Sequence, residues 1–388
     1  MDFNLPEETR ILKDTVRRFI DNELMPLERS LHGRANSHEL PDEIKAPLAA
    51  KVRAMGLWAM EAPAEVGGAA LSILDHCVVL EEAYRATVGR CLWSSLFFPV
   101  LHKLGTPAQK EKYLLPSMRA EFHGAAAFSE PGAAGDLAGI STSVERLNGG
   151  WVINGAKCWI SYAKSARYVL VLTRLKGTKR HEGMTWFIVD KGTAGFSVGR
   201  EQHMIHGQPT YELFFQDCFV PDSQLLGEPG QGWAAGEAAL YRGRVSISAR
   251  ALGIADRCLE LMVDYANQRR TFDKPIASRQ AVQWMIADSA MELHAARLMV
   301  YDAAWRADQG QEVRTQMAMI KAYTSEMVGR VADRAVQIHG AAGLSDETVV
   351  ERCYRDVRPM RIYEGTSEAM RSLIAKSVLR KNSSEGLA

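Results

Sequence analysis

No apolar run in the 388 residues approaches the about 20 that a membrane-crossing helix needs. The opening Met1-Asp2-Phe3-Asn4-Leu5-Pro6-Glu7-Glu8 is acidic and holds no apolar h-region. A secretory signal is therefore not expected, and a cytoplasmic location is. Six cysteines (Cys77, Cys91, Cys158, Cys218, Cys258 and Cys353) are scattered without a CxxC, which reads as reduced thiols, several of them buried packers. Ten histidines form no HExxH, and His203 with His206 gathers no further ligand, so a surface pair is expected there rather than a metal site. Net charge is only +1, and no basic block alternates with aromatics, which argues against a nucleic-acid partner. No GxGxxG follows a strand and no GxxxxGK[ST] occurs. Gly230-Gln231-Gly232 lacks the third glycine, so a Rossmann nucleotide site is not expected.

What is present is a chain with 47 % hydrophobic residues, enough for a large core. Residues 1–120 read as an N-terminal α-helical domain. Pro6-Glu7-Glu8 and Pro41-Asp42-Glu43 open helices, Leu71 to Ala86 and Ser94 to Leu104 are two more, and Thr106-Pro107 caps a fifth. Residues 121–228 read as a middle domain of closely spaced strands without helices between them, an antiparallel β-barrel or sandwich. Its runs are Ile140–Leu147, Trp151–Ile153, Cys158–Tyr162, Tyr168–Thr173, Thr185–Val189 and Tyr211–Val220, with turns expected at Asn148-Gly149-Gly150 and Asn154-Gly155. Residues 229–388 read as a C-terminal four-helix bundle. Long patterns run from Trp233 to Gln268, Gln280 to Ala307 and Val313 to Ile338, and the tail at Asn382-Ser383-Ser384-Glu385-Gly386 is expected to fray.

Within the bundle, Arg361-Ile362-Tyr363-Glu364-Gly365-Thr366-Ser367 joins two amphipathic patterns. The joint can aim a carboxylate into a cavity, and Gly365 lets a ligand or backbone come close. By itself Glu364 reads either as a solvated loop carboxylate before a helix N-terminus or as a general base whose pKa is raised by desolvation.

Three separated segments bear on that choice. They are Ala125-Ala126-Ala127-Phe128-Ser129-Glu130-Pro131-Gly132-Ala133-Ala134-Gly135-Asp136, then Asn154-Gly155-Ala156-Lys157-Cys158-Trp159-Ile160-Ser161, and the Tyr363-Glu364-Gly365-Thr366 joint. Arg269-Arg270-Thr271-Phe272, Arg279-Gln280 and Gln337-Ile338-His339-Gly340 accompany them. In this order, on a helix–strand–helix layout, they resemble the acyl-CoA dehydrogenase family of flavoproteins over nearly the whole chain. The resemblance implies FAD as cofactor. Phe128, Ser129, Trp159, Ile160 and Ser161 would lie near the isoalloxazine. Arg269, Thr271, Phe272, Gln280, Gln337 and Gly340 would hold the pyrophosphate and adenine, commonly across a subunit interface. Thr366 and Glu368 would also face the cofactor. Reduced flavin wants hydrogen-bond donors at its ring, and arginine suits a phosphate.

The implied reaction is α,β-dehydrogenation of an acyl-CoA thioester. Glu364 takes the α-proton, the flavin takes the β-hydride, and an electron-transfer flavoprotein takes the electrons. Gly135, Tyr241, Arg244, Tyr363 and Gly365 would meet the substrate. Some relatives carry the base on the long helix before Arg244; here that stretch is Leu240-Tyr241-Arg242-Gly243-Arg244, without a carboxylate. The chain should form a homodimer or homotetramer. Three departures, Ala134-Gly135-Asp136 for Gly-Ser-Asp, Tyr241 for Asp and Gly340-Ala341 for Gly-Gly, leave room for a branched, cyclic or aromatic acyl group. An oxygen-using flavoenzyme and a non-catalytic CoA- or flavin-binding relative are the alternatives on the same fold.

Overall fold

The computed structural model describes residues 4–31, 40–93, 98–133 and 135–384, the last four as backbone only. Met1 to Phe3, Ser94, Ala134 and Glu385-Gly386, which the sequence reading used, lie outside the described residues. Helices α1 (Glu7–Phe19), α2 (Met25–Ser30), α3 (Asp42–Ala54) and α4 (Ile73–Ala83) come first, then the short α5 (Pro99–Leu104), α6 (Pro107–Gln109) and α7 (Leu115–Met118). Strands β1 (Gly124–Ala127), β2 (Ser143–Leu147), β3 (Gly150–Ser161), β4 (Tyr168–Leu175), β5 (Met184–Asp190), β6 (Phe196–Gln202), β7 (Thr210–Pro221) and β8 (Leu225–Leu226) follow. Next come α8 (Gly232–Gln268), the hairpin β9 (Arg270–Thr271) and β10 (Lys274–Pro275), α9 (Gln280–Asp308), α10 (Arg314–His339), α11 (Val349–Val357) and α12 (Ser367–Ser384). No helix among the described residues is long and apolar enough to cross a membrane.

The chain forms two compact units. One comprises Met1–Trp58, Leu71–Ser94 and Tyr241–Ala388, the other Ala59–Ala70 and Ser95–Leu240. In the first, helices from both ends of the chain share one body. The Glu81 and Glu82 carboxylates on α4 are buried, and each is paired. Arg17 on α1 binds Glu82, while Arg297 at 2.7 Å and the Tyr301 hydroxyl at 2.7 Å, both on α9, donate to Glu81. A side chain at Gly253 would overlap the Glu81 carbonyl, so this glycine lets α8 cross α4 closely. On α10 the row Met317, Ile320, Met327, Val331, Ala335 and Ile338 is buried, as its 3.6-residue spacing requires. The helix packs against α9, α11 and α12.

The second unit holds one sheet in the order β6-β7-β3-β2-β4-β5-β8, with β1 alongside β4. The expectation of a purely antiparallel barrel or sandwich needs correction, because β1–β4 and β2–β4 pair in parallel and the sheet is mixed. Asn148-Gly149 does turn the β2–β3 hairpin, with Gly149 at φ 77°. Asn154-Gly155 does not turn the chain. It lies inside the continuous β3, where the ladder to β7 outweighs the local turn signal and leaves a bulge between Ile153 and Gly155. The Asn154 side chain spans the bulge, accepting from the Asp217 N–H at 2.8 Å. β1 and β6 escaped the sequence reading, since an alanine run and Phe-Ser-Val-Gly-Arg-Glu-Gln carry little strand pattern. All six cysteines are free thiols, five of them buried.

Candidate active site

The joint between α11 and α12 holds a constrained stretch of backbone. Glu364 sits at φ 55° and Gly365 at φ 99°, two successive left-handed residues. For a non-glycine residue that costs on the order of 1–3 kcal/mol and persists only where the surroundings enforce it. Here they do. Lys321 on α10 donates to the Gly365 carbonyl, and Arg244 on α8 donates to the Glu364 carbonyl at 3.4 Å. The Thr366 hydroxyl accepts from the Ala369 N–H at 3.2 Å and caps α12. Gly365 has to be glycine twice over, for its φ and because a Cβ there would lie 2.7 Å from Met370 Cε.

The turn leaves its functional groups unspent. Neither the Glu364 carboxylate nor the Glu364 and Gly365 N–H groups make a hydrogen bond among the described residues. The carboxylate lies against Gly243 on α8, where an added Cβ would come within 2.5 Å of its Cδ and Oε2. Burial raises the Glu364 pKa above its ordinary value, and Arg244, Arg250 and Lys321 pull it part of the way back. Lys321 is fully buried, and that burial brings its ammonium down to about 8 against the opposing pull of Glu364. Arg244 is 8 % exposed with its guanidinium 5.3 Å from the Tyr241 ring centroid, so it is no plain surface charge. Tyr363 precedes the acid and stays partly exposed.

Elsewhere in this unit, Phe272 and Asp273 turn the β9–β10 hairpin with φ of 49° and 62°. The turn leaves the Phe272 ring 90 % exposed beneath Arg279, which also donates to the Thr271 carbonyl at 2.9 Å. Arg269, Gln280, Gln337 and Gly340 are exposed as well. The Arg269, Gln280 and Gln337 side chains make no hydrogen bond or ion pair among the described residues. Glu368 is exposed in the first turn of α12.

In the sheet unit, the Phe128-Ser129 loop leaves β1 and is fixed from below. Lys157 donates to the Phe128 carbonyl at 3.1 Å, the Cys158 N–H donates to the Ser129 carbonyl at 3.0 Å, and the Phe128 ring stands edge-on to Trp186 at 4.9 Å. Lys157 also pairs with Glu130 at 2.8 Å, both fully or almost fully buried. Against burial, which opposes its charged form, the Lys157 charge and the bonds from Thr142 and Ser141 hold Glu130 at about 2. Burial lowers Lys157 to about 8, so the pair is ionised at neutral pH. A second bulge in β3, between Lys157 and Ile160, puts Trp159 at φ 62° with its indole half exposed. Ile160 turns its side chain into the core, which leaves only its backbone for a ligand. Ser161 ends the strand half-buried, and its hydroxyl and that of Ser129 make no hydrogen bond among the described residues. Gly135, at φ 84°, faces open space, and its neighbour Asp136 pairs with Arg180 at 2.7 Å.

Sequence reasoning missed Gly243, Lys321 and the Glu130–Lys157 pair. The available signal for Lys321 was a lysine adjoining the apolar row of α10; for the pair it was two charges inside motifs otherwise read for their loops.

Three family models account for almost the whole chain: acyl-CoA dehydrogenase N-terminal domain over residues 6–121, middle domain over 125–218 and C-terminal domain over 230–379. The chain belongs to the acyl-CoA dehydrogenase family. Among curated relatives of that family, it is 37 % identical to the (R)-benzylsuccinyl-CoA dehydrogenase of Thauera aromatica, covering 98 % of this chain and 97 % of the other. Solved structures like it include one reported for the electron transferring flavoprotein of Acidaminococcus fermentans, with a TM-score of 0.87, 31 % identity and 98 % and 100 % of the two chains covered. The FAD complex of PigA follows, with a TM-score of 0.88, 27 % identity and coverage of 97 % and 99 %. The protein is an oxidoreductase of the acyl-CoA dehydrogenase kind, and FAD is its cofactor. The residues fit that cofactor, since the N–H groups of Phe128 and Ser129 and the hydroxyls of Ser129 and Ser161 are donors with no partner among the described residues.

Proposed function

We propose that the protein removes the α-proton and the β-hydrogen of an acyl-CoA thioester, leaving a 2-enoyl-CoA, with Glu364 as the base. One observation carries this reading. A half-buried carboxylate with no hydrogen bond among the described residues, its pKa raised by burial, stands on an enforced left-handed turn. A base of that strength is matched to neutral pH better than a solvated carboxylate is. The free N–H of Glu364 is suited to donate to the thioester carbonyl as enolate charge develops, worth about 3–4 kcal/mol by comparison with other oxyanion donors. FAD, when bound, supplies the acceptor for the β-hydrogen, which leaves as hydride. Phe128, Ser129 and Ser161 would hold its ring and Trp159 would cover it. Arg269, Gln280 and Gln337 would meet the pyrophosphate and adenine, with Thr271, Phe272, Gly340, Thr366 and Glu368 beside them. Gly135, Tyr241, Arg244, Tyr363 and Gly365 would line the substrate. An electron-transfer flavoprotein is the proposed acceptor, consistent with the likeness to a structure reported for such a protein.

A homo-oligomer completes the reading. On α9, Trp284, Met291, Leu298 and Trp305 recur every seventh residue on one exposed face. A second copy is proposed to cover that row and Phe272, and sedimentation giving a monomer at micromolar concentration would remove this part.

Glu364→Gln tests the base. The variant should stay yellow and bind acyl-CoA yet leave its flavin oxidised under anaerobic mixing. Bleaching at near the parent rate would take Glu364 out of the mechanism. Slow reoxidation of the bleached parent in air separates a dehydrogenase from an oxygen-using enzyme.

A further inference from the structure

Two cysteines lie on buried rows of the helical unit. On α8, Ile254, Cys258 and Met262 recur every fourth residue and are fully buried; on α11, Val350, Cys353 and Val357 are buried too. Spacings of three and four residues put each set on one helix face. The two rows meet at the sulfurs. The Cys258 and Cys353 thiols are hydrogen-bonded to each other, although 95 residues (353 − 258) separate them along the chain.

Apolar packing alone does not account for their surroundings. Arg90, paired with the buried Asp356 on α11, acts electrostatically on Cys353. Arg257, held by Glu28 at 3.3 Å and Glu260 at 3.0 Å, interacts with the Cys353 sulfur as well. Guanidiniums beside a sulfur favour its ionised, attacking form. The hydrogen bond to Cys258 and burial oppose Arg90 and hold the Cys353 thiol well above its ordinary range. The pair is therefore quiet at rest and open to a small uncharged oxidant that enters by local opening.

Where the pair sits bears on the base. Helix α11 runs on into the joint that carries Glu364, and α8 carries Gly243 and Arg244 against that joint. Sulfurs in hydrogen-bond contact must close to about 2 Å to form a disulfide. A bond here draws the two helices together, and close packing passes the shift to what they hold.

We propose that Cys258 and Cys353 are a redox switch: a hydroperoxide closes them into a disulfide that bolts α8 to α11 and slows proton removal by Glu364. One sulfur attacks hydrogen peroxide and breaks its O–O bond, leaving a sulfenic acid and releasing water. The second sulfur attacks the first and expels the remaining oxygen as water. Two thiols and one hydrogen peroxide give one disulfide and two waters, with two electrons passing from sulfur to oxygen. The effect on rate rests on the dehydrogenase reading above; closure of the bond does not.

The test treats the FAD-loaded enzyme with hydrogen peroxide, removes the excess with catalase and blocks the remaining thiols before peptide mass spectrometry. A cross-linked peptide joining Cys258 to Cys353, lighter by two hydrogens, should appear and vanish with dithiothreitol. The bridged enzyme should melt several degrees higher, since closing so long a loop restricts the unfolded chain. Its anaerobic flavin reduction by acyl-CoA should slow roughly tenfold and recover on reduction of the bond. Cys258→Ala and Cys353→Ala, with folding checked by FAD content, should keep their rate through the same treatment. Absence of the cross-link at peroxide levels that oxidise the half-buried Cys91 would overturn the proposal, and that arm needs no variant. A cross-link with an unchanged rate would overturn it too, as would an equal loss of rate in either alanine variant. Untreated enzyme whose flavin no acyl-CoA reduces would end the dehydrogenase reading and the rate effect with it, while the cross-link and melting temperature would still decide whether the pair closes.

Discussion

Replacing Gly243 with alanine isolates the placement of the base from the stability of the fold. The added Cβ would lie 2.5 Å from Glu364 Cδ and Oε2 and 3.0 Å from Cγ, against 3.4 Å for ordinary contact. The carboxyl must therefore retreat by about 0.9 Å (3.4 − 2.5), which the flexible glutamate side chain can do without unfolding anything. A displacement of about 1 Å in a reacting group costs on the order of 100-fold in rate, or about 2.7 kcal/mol of barrier. Stability should move the other way. Alanine in a helix interior is favoured over glycine by about 0.5–1 kcal/mol, so Gly243→Ala should unfold at the parent temperature or slightly above. The assay is stopped-flow loss of flavin absorbance at saturating acyl-CoA, beside thermal unfolding of the same sample. A rate within about threefold of the parent would refute the reasoning, because a carboxylate that reacts as well after being pushed aside is not held in its working position. A large fall in melting temperature would refute it too, by showing that the glycine serves packing instead.

Two further outcomes follow from the buried cations. Glu130→Gln takes the carboxylate partner from the buried Lys157 beneath the Phe128-Ser129 loop; about 3–5 kcal/mol of stability should be lost together with bound flavin, measured by thermal unfolding and FAD content. In the parent, Glu130 has a lowered pKa, so the stability it contributes is present above about 4.5 and should fall as the pH drops toward about 2. Lys321→Met removes the donor to the Gly365 carbonyl; the rate of flavin reduction should drop roughly tenfold or more while FAD content holds, and a parent-like rate would show that the left-handed turn needs no such restraint. The lowered Lys321 pKa has the same sign of linkage as that of Glu130, in a higher window: the unfolded chain binds the extra proton between about 8 and 10.5, so stability should rise with pH there and replacing Lys321 should remove that rise.

How much was legible beforehand varied with the range of the interaction. Helices α8, α9 and α10 begin and end within a residue or two of where periodicity and turn residues put them, because each buries one face and 3.6-residue spacing records it. The Thr106 cap is present, closed by Gln109 in a capping box. Asn154-Gly155 misled, since a local turn preference of a few tenths to about 1 kcal/mol loses to the ladder that β3 forms with β7 on both sides of it. Strand β1 was invisible, because four small residues become a strand only where β4 supplies their partners.

The linear sequence by itself determined the helix–sheet–helix order, the three motifs and the acid at the joint, all written in neighbouring residues and local periodicity. Tertiary structure alone decided what surrounds that acid. Arg244 and Glu364 are 120 residues apart and meet only because α8 lies against the α11–α12 joint. The same packing sets Gly243 opposite the carboxylate, brings Lys321 beneath the left-handed turn and turns Arg250 toward Tyr84. The physical reason is that a pKa, an enforced φ and a charge balance are sums over neighbours in space, and those neighbours are fixed by how helix faces bury each other.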